Sequence, residues 1–259
     1  MFNTINTQSI HIGSKGFTLV ELMISLFISG LIMTAVISVY TAQTRSYTIH
    51  DDIAGIQQNL RGALTILTLE IRTAGCDPTE EAKAKIEKAT KAEFQFTRDI
   101  GCNNDATSNT CDDNKKPYLA NGKIDTKGVD EDITYTLTGD TNNDGIVDNG
   151  GTNWSGTASL GRQVGNSIIA QPLADNIEAL EFSYLLKDDD TPVLTPSASQ
   201  LNDIRAVRIS MLARASAPSE EYLHTAAYTT GSGATWTPPQ DHFRRRMVVT
   251  TIQCRNMGL

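Results

Sequence analysis

A long apolar run close to the N-terminus constrains this chain more than any other feature. Residues 17–40 read FTLVELMISLFISGLIMTAVISVY and contain a single charged residue, Glu21. A helix needs about 20 predominantly apolar residues to cross the hydrocarbon core of a bilayer, so the run predicts a transmembrane helix. A secretory signal peptide has its small-residue cleavage site after the apolar core. Here the small residue Gly16 precedes the run, so cleavage after Gly16 would leave the helix on the mature chain.

The single carboxylate of this run requires an explanation, because a charge inside a membrane helix is costly and usually marks function. Glu21 follows Phe17 by one helical turn, and cleavage after Gly16 would give Phe17 a free amino group. A carboxylate in apolar surroundings is tolerated when a cation neutralises it. We therefore interpret Glu21 as the partner of the N-terminal amine of a neighbouring helix in an assembly.

The segment KGFTLVEL, residues 15–22, resembles the cleavage and methylation motif of type IV prepilins and type II secretion pseudopilins. The resemblance implies that a prepilin peptidase removes a leader, residues 1–16, and that the nitrogen of Phe17 is methylated. It also implies a single-pass protein of the inner membrane with its globular domain in the periplasm, which then enters a cell-surface pilus. One departure is that the leader contains one Lys and no Arg.

Apolar residues recur at intervals of three and four beyond the membrane run, which predicts that the helix continues as an amphipathic segment to about residue 73. They are Ile49, Ile53, Ile56, Leu60, Leu64, Leu67 and Ile71. Gly75 and Pro78 predict the helix end. We expect this stripe to cover a sheet of the same chain; a coiled-coil seam is the alternative.

The rest of the chain shows alternating apolar residues, which predict strands with one buried and one wet face. The predicted strands are residues 93–97, 132–137, 180–186, 207–211 and 247–253, and residues 79–90 are expected to form a short polar helix or a charged loop. The predicted fold class is therefore α+β, with a long N-terminal helix packed on an antiparallel sheet with large loops. The resemblance implies that this is the type IV pilin fold. The expected divisions are a leader at 1–16, a membrane or filament-core half-helix at 17–40, an amphipathic half-helix at 41–75 and a globular domain at 76–259.

Four segments resemble the PilW group of minor pilins. They are residues 70–78, 173–182, 204–210 and 244–256. This resemblance implies a minor subunit that helps to prime filament assembly near the tip. Its implied partners are other minor pilins, the major pilin, the prepilin peptidase and an inner-membrane assembly platform. Two alternatives stay open: a type II secretion minor pseudopilin of the GspJ type, and a membrane-tethered calcium-binding adhesin domain.

An even number of cysteines in an exported chain suggests two disulfides. The four cysteines are Cys76, Cys102, Cys111 and Cys254. Three pairings are possible. We favour Cys102 with Cys111, which are close in the sequence, and then Cys76 with Cys254; free thiols are the alternative.

One polar loop is similar to the start of an EF-hand calcium loop. Asp140, Asn142, Asp144 and Asp148 would supply side-chain oxygens, and Ile146 its carbonyl. Gly145 stands where the EF-hand chain turns sharply, but Gly151 replaces the bidentate Glu that normally closes the calcium shell. An acidic residue from 130–132 would have to complete it. The alternative is a polar hairpin turn.

Charge and motifs disfavour two further classes of function. The net charge is −8 and there is no basic stripe, which argues against general nucleic-acid binding. We find no His-Glu-x-x-His, Gly-x-Ser-x-Gly or P-loop motif, so we expect no enzymatic activity. We interpret residues 188–190, three Asp, as a solvated turn, and residues 244–246, three Arg, as a solvated strand edge.

Overall fold

The computed structural model describes residues 16–100, 120, 122–124, 130–150, 152–156 and 158–257. Cys102 and Cys111, and hence the disulfide predicted between them, lie outside the described residues. The chain divides into two compact units, Met1–His50 and Asp51–Leu259. The second unit begins within the long helix, because the last four turns of that helix share one core with the sheets.

The helix α1, Leu19–Ile71, confirms the predicted long N-terminal helix. In the second unit its buried residues are Ile56, Leu60, Ala63, Leu67 and Ile71. They follow one another at steps of four, three, four and four, which places them on one face. Because these side chains belong to the same hydrophobic core as the strands, the stripe covers sheets of its own chain and the coiled-coil alternative fails here.

The chain leaves the helix through a glycine that no other residue can replace without strain. Gly75 has φ +70°, in the left-handed region. Its N–H donates to the carbonyl of Thr97 at 2.9 Å, which joins the end of α1 to a strand. A Cβ on Gly75 would lie 2.2 Å from Sδ of Met257. The predicted stop signal at Gly75 therefore has both a conformational and a steric cause.

We expect Gly75→Ala to lower the free energy of unfolding of the second unit by about 1–2 kcal/mol, since L-residues with a Cβ pay this for the left-handed conformation. Met257 must also move. The matched control is Gly62→Ala. Gly62 lies on the exposed face of α1, and a Cβ there would have no atom within 4 Å. That change should stabilise the chain by about 0.5–1 kcal/mol. Urea unfolding followed by tryptophan fluorescence measures both, and equal shifts for the two variants would contradict the explanation.

An antiparallel five-stranded sheet contains the first five strands in sequential order. They are β1 Ile86–Ala89, β2 Glu93–Thr97, β3 Asp132–Leu137, β4 Ser159–Val164 and β5 Gln171–Asp175. The predictions for β2 and β3 are confirmed to the residue. The prediction of a polar helix or loop over residues 79–90 is wrong for its last part, because residues 86–89 form β1. This strand pairs with β2, although only its two end residues are buried.

The remaining strands form a four-stranded sheet and a small hairpin. They are β6 Ile177–Leu186, β7 Asp189–Val193, β8 Ile204–Arg214, β9 Tyr228–Thr229, β10 Thr235–Trp236 and β11 Arg245–Gln253, with a 3₁₀ turn at Leu201–Asp203. The sheet has the order β11-β8-β6-β7, and β9 pairs with β10. The α+β class with antiparallel strands is confirmed, although the strands form two sheets and a hairpin rather than one sheet.

Strand β6 differs from the prediction because all ten of its residues are buried. One face, with Leu180, Phe182 and Tyr184, lies in the core shared with α1. On the other face, Ala179 packs with Leu212 and Trp236, and Ile146 and Trp154 help to cover this face, which was expected to be wet.

A partly buried ionic cluster fastens the end of α1 to the five-stranded sheet. Glu70 accepts hydrogen bonds from Arg162 at 2.7 and 3.0 Å and from the hydroxyl of Tyr135. Arg98 donates to the hydroxyl of Thr73 at 2.8 Å. Burial and the neighbouring carboxylate raise the pKa of Tyr135, so that its hydroxyl stays a donor to Glu70.

Candidate assembly site

The first turn of α1 contains a reciprocal pair of hydrogen bonds between Thr18 and Glu21. Oε2 of Glu21 accepts from both the backbone N–H and the hydroxyl of Thr18 at 2.9 Å. The hydroxyl of Thr18 in turn accepts from the N–H of Glu21 at 3.2 Å. This is a capping box, which satisfies N–H groups that a helix start leaves unbonded. Glu21 therefore starts the helix within its own chain.

The predicted processing residues lie immediately before this cap. Gly16 and Phe17 are exposed and non-helical, and Phe17 is 90% exposed. Among the described residues, Oε1 of Glu21 has no hydrogen bond, so one carboxylate oxygen stays available to a cation. The structure thus brings Gly16, Phe17 and Glu21 to one helix start, while the pairing of Glu21 with a neighbouring amine stays a prediction.

The part of α1 that belongs to the first unit has an exposed apolar surface. Every residue from Gly16 to Thr48 is exposed, including large apolar side chains of every turn between Leu19 and Tyr40. By length and composition α1 is the one helix of the described residues that can cross a membrane. A helix that is apolar all round is stable only inside a membrane or among other apolar elements.

The loop that follows β3 closes on its own hydrogen bonds. The two carboxylate oxygens of Asp140 accept the N–H groups of Asp144 and Gly145 at 3.1 and 2.8 Å. Oδ1 of Asp144 accepts the N–H of Ile146 at 2.8 Å. Gly145 has φ +82°, and a Cβ there would lie 2.3 Å from the carbonyl oxygen of Leu180. The loop is thereby docked on β6, and its glycine is required.

The fit of this loop to calcium is incomplete. Asp148 turns its carboxylate to the hydroxyl of Thr141 at 2.7 Å and the N–H of Gly150 at 3.0 Å. Within the described ranges, no three His, Cys, Asp or Glu side chains lie close enough to hold one metal ion. Residues 130–132, expected to complete the shell, lie at the opposite end of β3, about 20 Å away by strand geometry. Gly151 lies outside the described residues, and calcium binding stays a prediction.

The calcium prediction gives a defined calorimetric result. If Asp140, Asn142, Asp144, Ile146 and Asp148 bind Ca²⁺, titration of the detergent-solubilised chain releases a saturable heat at millimolar Ca²⁺ or below. Asp144→Ala should abolish that heat. Glu87→Ala, which removes an exposed acid of β1, should preserve it. Equal, non-saturating heats for all three proteins would contradict calcium binding.

The predicted disulfide between Cys76 and Cys254 is not formed in this structure, where both are free cysteines. Cys254 lies 3% exposed in the hydrophobic core, and its N–H donates to the carbonyl of Arg205 at 2.9 Å. Cys76 lies in the turn after α1, outside that core. Burial raises the pKa of Cys254 to about 12, so its thiol stays protonated at neutral pH.

We expect the thiol of Cys254 to resist N-ethylmaleimide in the native chain and to react fully in urea, because only the exposed thiolate is nucleophilic. Peptide mass spectrometry of samples alkylated before and after unfolding measures this difference. A peptide containing Cys254 linked to Cys76 in unreduced protein from native membranes would contradict the free-thiol assignment.

The three arginines at the start of β11 were predicted to be solvated, which is wrong for Arg245. Its side chain is fully buried and donates to Glu178 at 2.5 Å and to Asp241 at 2.6 Å. Arg214 also pairs with Glu178 at 3.0 Å. Burial alone would lower the pKa of Arg245, but the hydrogen bonds and charges of Asp241 and Glu178 outweigh it and raise the pKa. The cluster joins β6, β8 and β11.

The two other arginines have different environments. Arg244 stacks its guanidinium 4.4 Å over the ring of Tyr222. Arg246 is exposed, as predicted. The sequence contains no local signal for the buried role of Arg245, because its partner Glu178 lies 67 residues earlier.

Two family models match this chain. Residues 146–256 match the model described as Type IV Pilus-assembly protein W, and residues 13–37 match the model described as Prokaryotic N-terminal methylation motif. A solved type IV-like pilin from Thermus thermophilus is 14% identical; the match covers 78% of this chain and 98% of that one, with a TM-score of 0.44. No curated protein matches the chain.

Proposed function

We propose that this chain, which is a type IV pilin-like protein of the PilW type, acts as a minor subunit that helps to prime assembly of a type IV pilus. It enters the filament through the part of α1 that lies in the first unit. Its second unit is displayed outside the membrane. Other minor pilins and the major pilin are its partners in the filament. The prepilin peptidase and an inner-membrane assembly platform act on it before that.

The uncovered apolar helix beside a cleavage motif is the observation that carries this proposal. Residues 19–40 lie on a helix whose side chains are exposed on all sides, directly after Gly16 and Phe17. Such a helix can exchange a lipid environment for a bundle of similar helices at little cost in hydrophobic free energy, because lipid tails are as apolar as leucine side chains. Transfer from membrane to filament requires this property.

The chemistry of insertion follows from the first turn. Hydrolysis of the peptide bond after Gly16 gives Phe17 a new amino group, which is a cation at neutral pH. A cation among apolar helices needs an anionic partner. Glu21 provides that partner with Oε1, while its Oε2 holds Thr18 and keeps the helix start folded. One carboxylate thereby serves the helix cap of its own chain and the amine of a neighbouring subunit.

The priming role is tested by counting the filaments on each cell and by locating the chain on those filaments. Deletion of the chain should reduce the number of filaments per cell, and the remaining filaments should keep normal length. Immunogold labelling of the second unit should mark filament ends. Labels spread along the shaft would contradict a position near the tip. Unchanged filaments together with loss of type II secretion would contradict the pilus assignment and favour a pseudopilin.

A further inference from the structure

The outermost strand of the four-stranded sheet, β11, is long and regular. It pairs with β8 over all nine of its residues, without a bulge or a change of register. Within the described residues β11 pairs with no strand on its other side. Its outer edge is therefore open from Met247 to Gln253, whereas the carbonyl of Arg245 accepts from the hydroxyl of Tyr228 at 3.4 Å.

The register of β11 against β8 shows which backbone groups face outward. The carbonyl of Arg244 accepts the N–H of Ala215 at 2.8 Å, and the N–H of Cys254 donates to the carbonyl of Arg205 at 2.9 Å. In an antiparallel pair, alternate residues point their N–H and C=O to the same partner. Even-numbered residues therefore face β8, and the odd-numbered Arg245, Met247, Val249, Thr251 and Gln253 face away. In the described part of the chain, these outward groups have no backbone partner.

Every other edge of the two large sheets is obstructed. Strand β1 has only four residues and an irregular register. Strand β5 contains Pro172 and an irregular register. Strand β7 contains two Asp residues, Pro192 and a bulge. Short length, charge, proline and bulges are the ways in which proteins prevent unwanted pairing at sheet edges. Between Met247 and Gln253, β11 has none of them.

Charge at the two ends of this edge indicates the chemistry of an occupant. Arg246 at the start of β11 and Arg255 just after its end are exposed, and neither has an ion pair in the described residues. The seven residues between Arg246 and Cys254 (MVVTTIQ) are uncharged. A complementary segment is uncharged in its middle and has a carboxylate near each end.

We propose that the outer edge of β11 accepts an extended segment of another filament subunit as an added strand, with Asp or Glu residues of that segment beside Arg246 and Arg255. Main-chain hydrogen bonds supply the affinity in this mode of recognition, and the flanking charges supply the specificity. The inference rests on the proposed function, because it assumes that the chain meets other subunits.

Photo-crosslinking in cells that assemble filaments tests the proposal. Thr251→p-benzoylphenylalanine in the full chain should give an adduct with an extended, acid-flanked segment of a different pilin-type subunit. The matched control is Thr191→p-benzoylphenylalanine on the obstructed edge β7, which should give none. No adduct from Thr251, equal adducts from both positions, or an adduct joining two copies of β11 would overturn the proposal.

A proline variant then distinguishes an added strand, which needs the main-chain hydrogen bonds of β11, from a partner that contacts only its side chains. Val249→Pro removes an outward N–H and leaves the pairing with β8 intact, so its urea midpoint should match that of the natural chain. It should lower the Thr251 adduct yield by about tenfold, as expected for the loss of one to two main-chain hydrogen bonds. Val249→Thr retains the N–H and should retain the yield. An adduct that survives Val249→Pro unchanged would overturn the proposal.

Hydrogen exchange gives a result that needs no variant. The outward amides of Met247, Val249, Thr251 and Gln253 should exchange rapidly in the detergent-solubilised chain and become protected in the complex purified with its partners. Unchanged exchange would overturn the proposal. If the chain is found in sheared filaments but these amides stay unprotected, this inference fails and the proposed function stands; if the chain never reaches filaments, the proposed function itself fails.

Discussion

Replacing Glu178 with alanine should lower the free energy of unfolding of the second unit by about 3 kcal/mol, the lower end of the usual cost of breaking a buried ion pair, because Arg245 keeps Asp241 as a second partner. Glu178 is 1% exposed and accepts from Arg214 at 3.0 Å and from Arg245 at 2.5 Å. Arg245 is fully buried, so water cannot replace the lost carboxylate. Trp154 and Trp236 are the two tryptophans of the chain and both lie in the second unit. Urea unfolding followed by their fluorescence measures the loss.

Two control variants make this prediction specific. Glu178→Gln retains the shape and one acceptor, so its loss should be smaller than that of Glu178→Ala. Lys88→Ala breaks the ion pair with Glu93 at 2.6 Å, in which Lys88 is half exposed, and should cost less than about 1 kcal/mol. A similar cost for Lys88→Ala and Glu178→Ala would contradict the importance of burial.

Glu21→Ala should leave the chain in the membrane and lower its incorporation into filaments by at least about tenfold, which corresponds to about 1.4 kcal/mol of lost pairing free energy. The apolar run that inserts the chain is unchanged by the substitution, whereas the amine of a neighbouring Phe17 loses its anion. Quantitative immunoblots of membranes and sheared filaments measure the ratio.

Glu21→Gln distinguishes the two roles of this residue. Glutamine can replace glutamate in a capping box, so the hydrogen bonds to Thr18 persist while the charge is lost. If pairing with an amine drives insertion, Glu21→Gln is as defective as Glu21→Ala. Normal incorporation of Glu21→Gln would show that Glu21 acts only through the helix cap.

The parts of the fold that follow from local patterns were predictable from the sequence. Strands β2 and β3 bury alternate residues, so their apolar pattern marks both ends. The stripe of α1 repeats at helical spacing over four turns and predicted its buried face. Gly16, Phe17 and Glu21 lie within six residues of one another, and the helix start brings them together without help from the rest of the chain.

The parts that depend on distant contacts were not predictable. Strands β1 and β5 lack alternation and exist because neighbouring strands pair with them. The full burial of β6 depends on the segment around Trp236, far along the chain. Glu178 and Arg245 are 67 residues apart, so nothing near either residue predicts their pairing. The open edge of β11 is a property of sheet order, which alternation alone does not determine.

The most direct measurement is the intact mass and the N-terminal peptide of the chain from native membranes and from sheared filaments. We expect a mature chain that begins at Phe17, carries a methyl group on its nitrogen and is present in both fractions. A chain that still begins at Met1 and is confined to membranes would contradict this expectation, and would favour a tethered domain that never enters a filament.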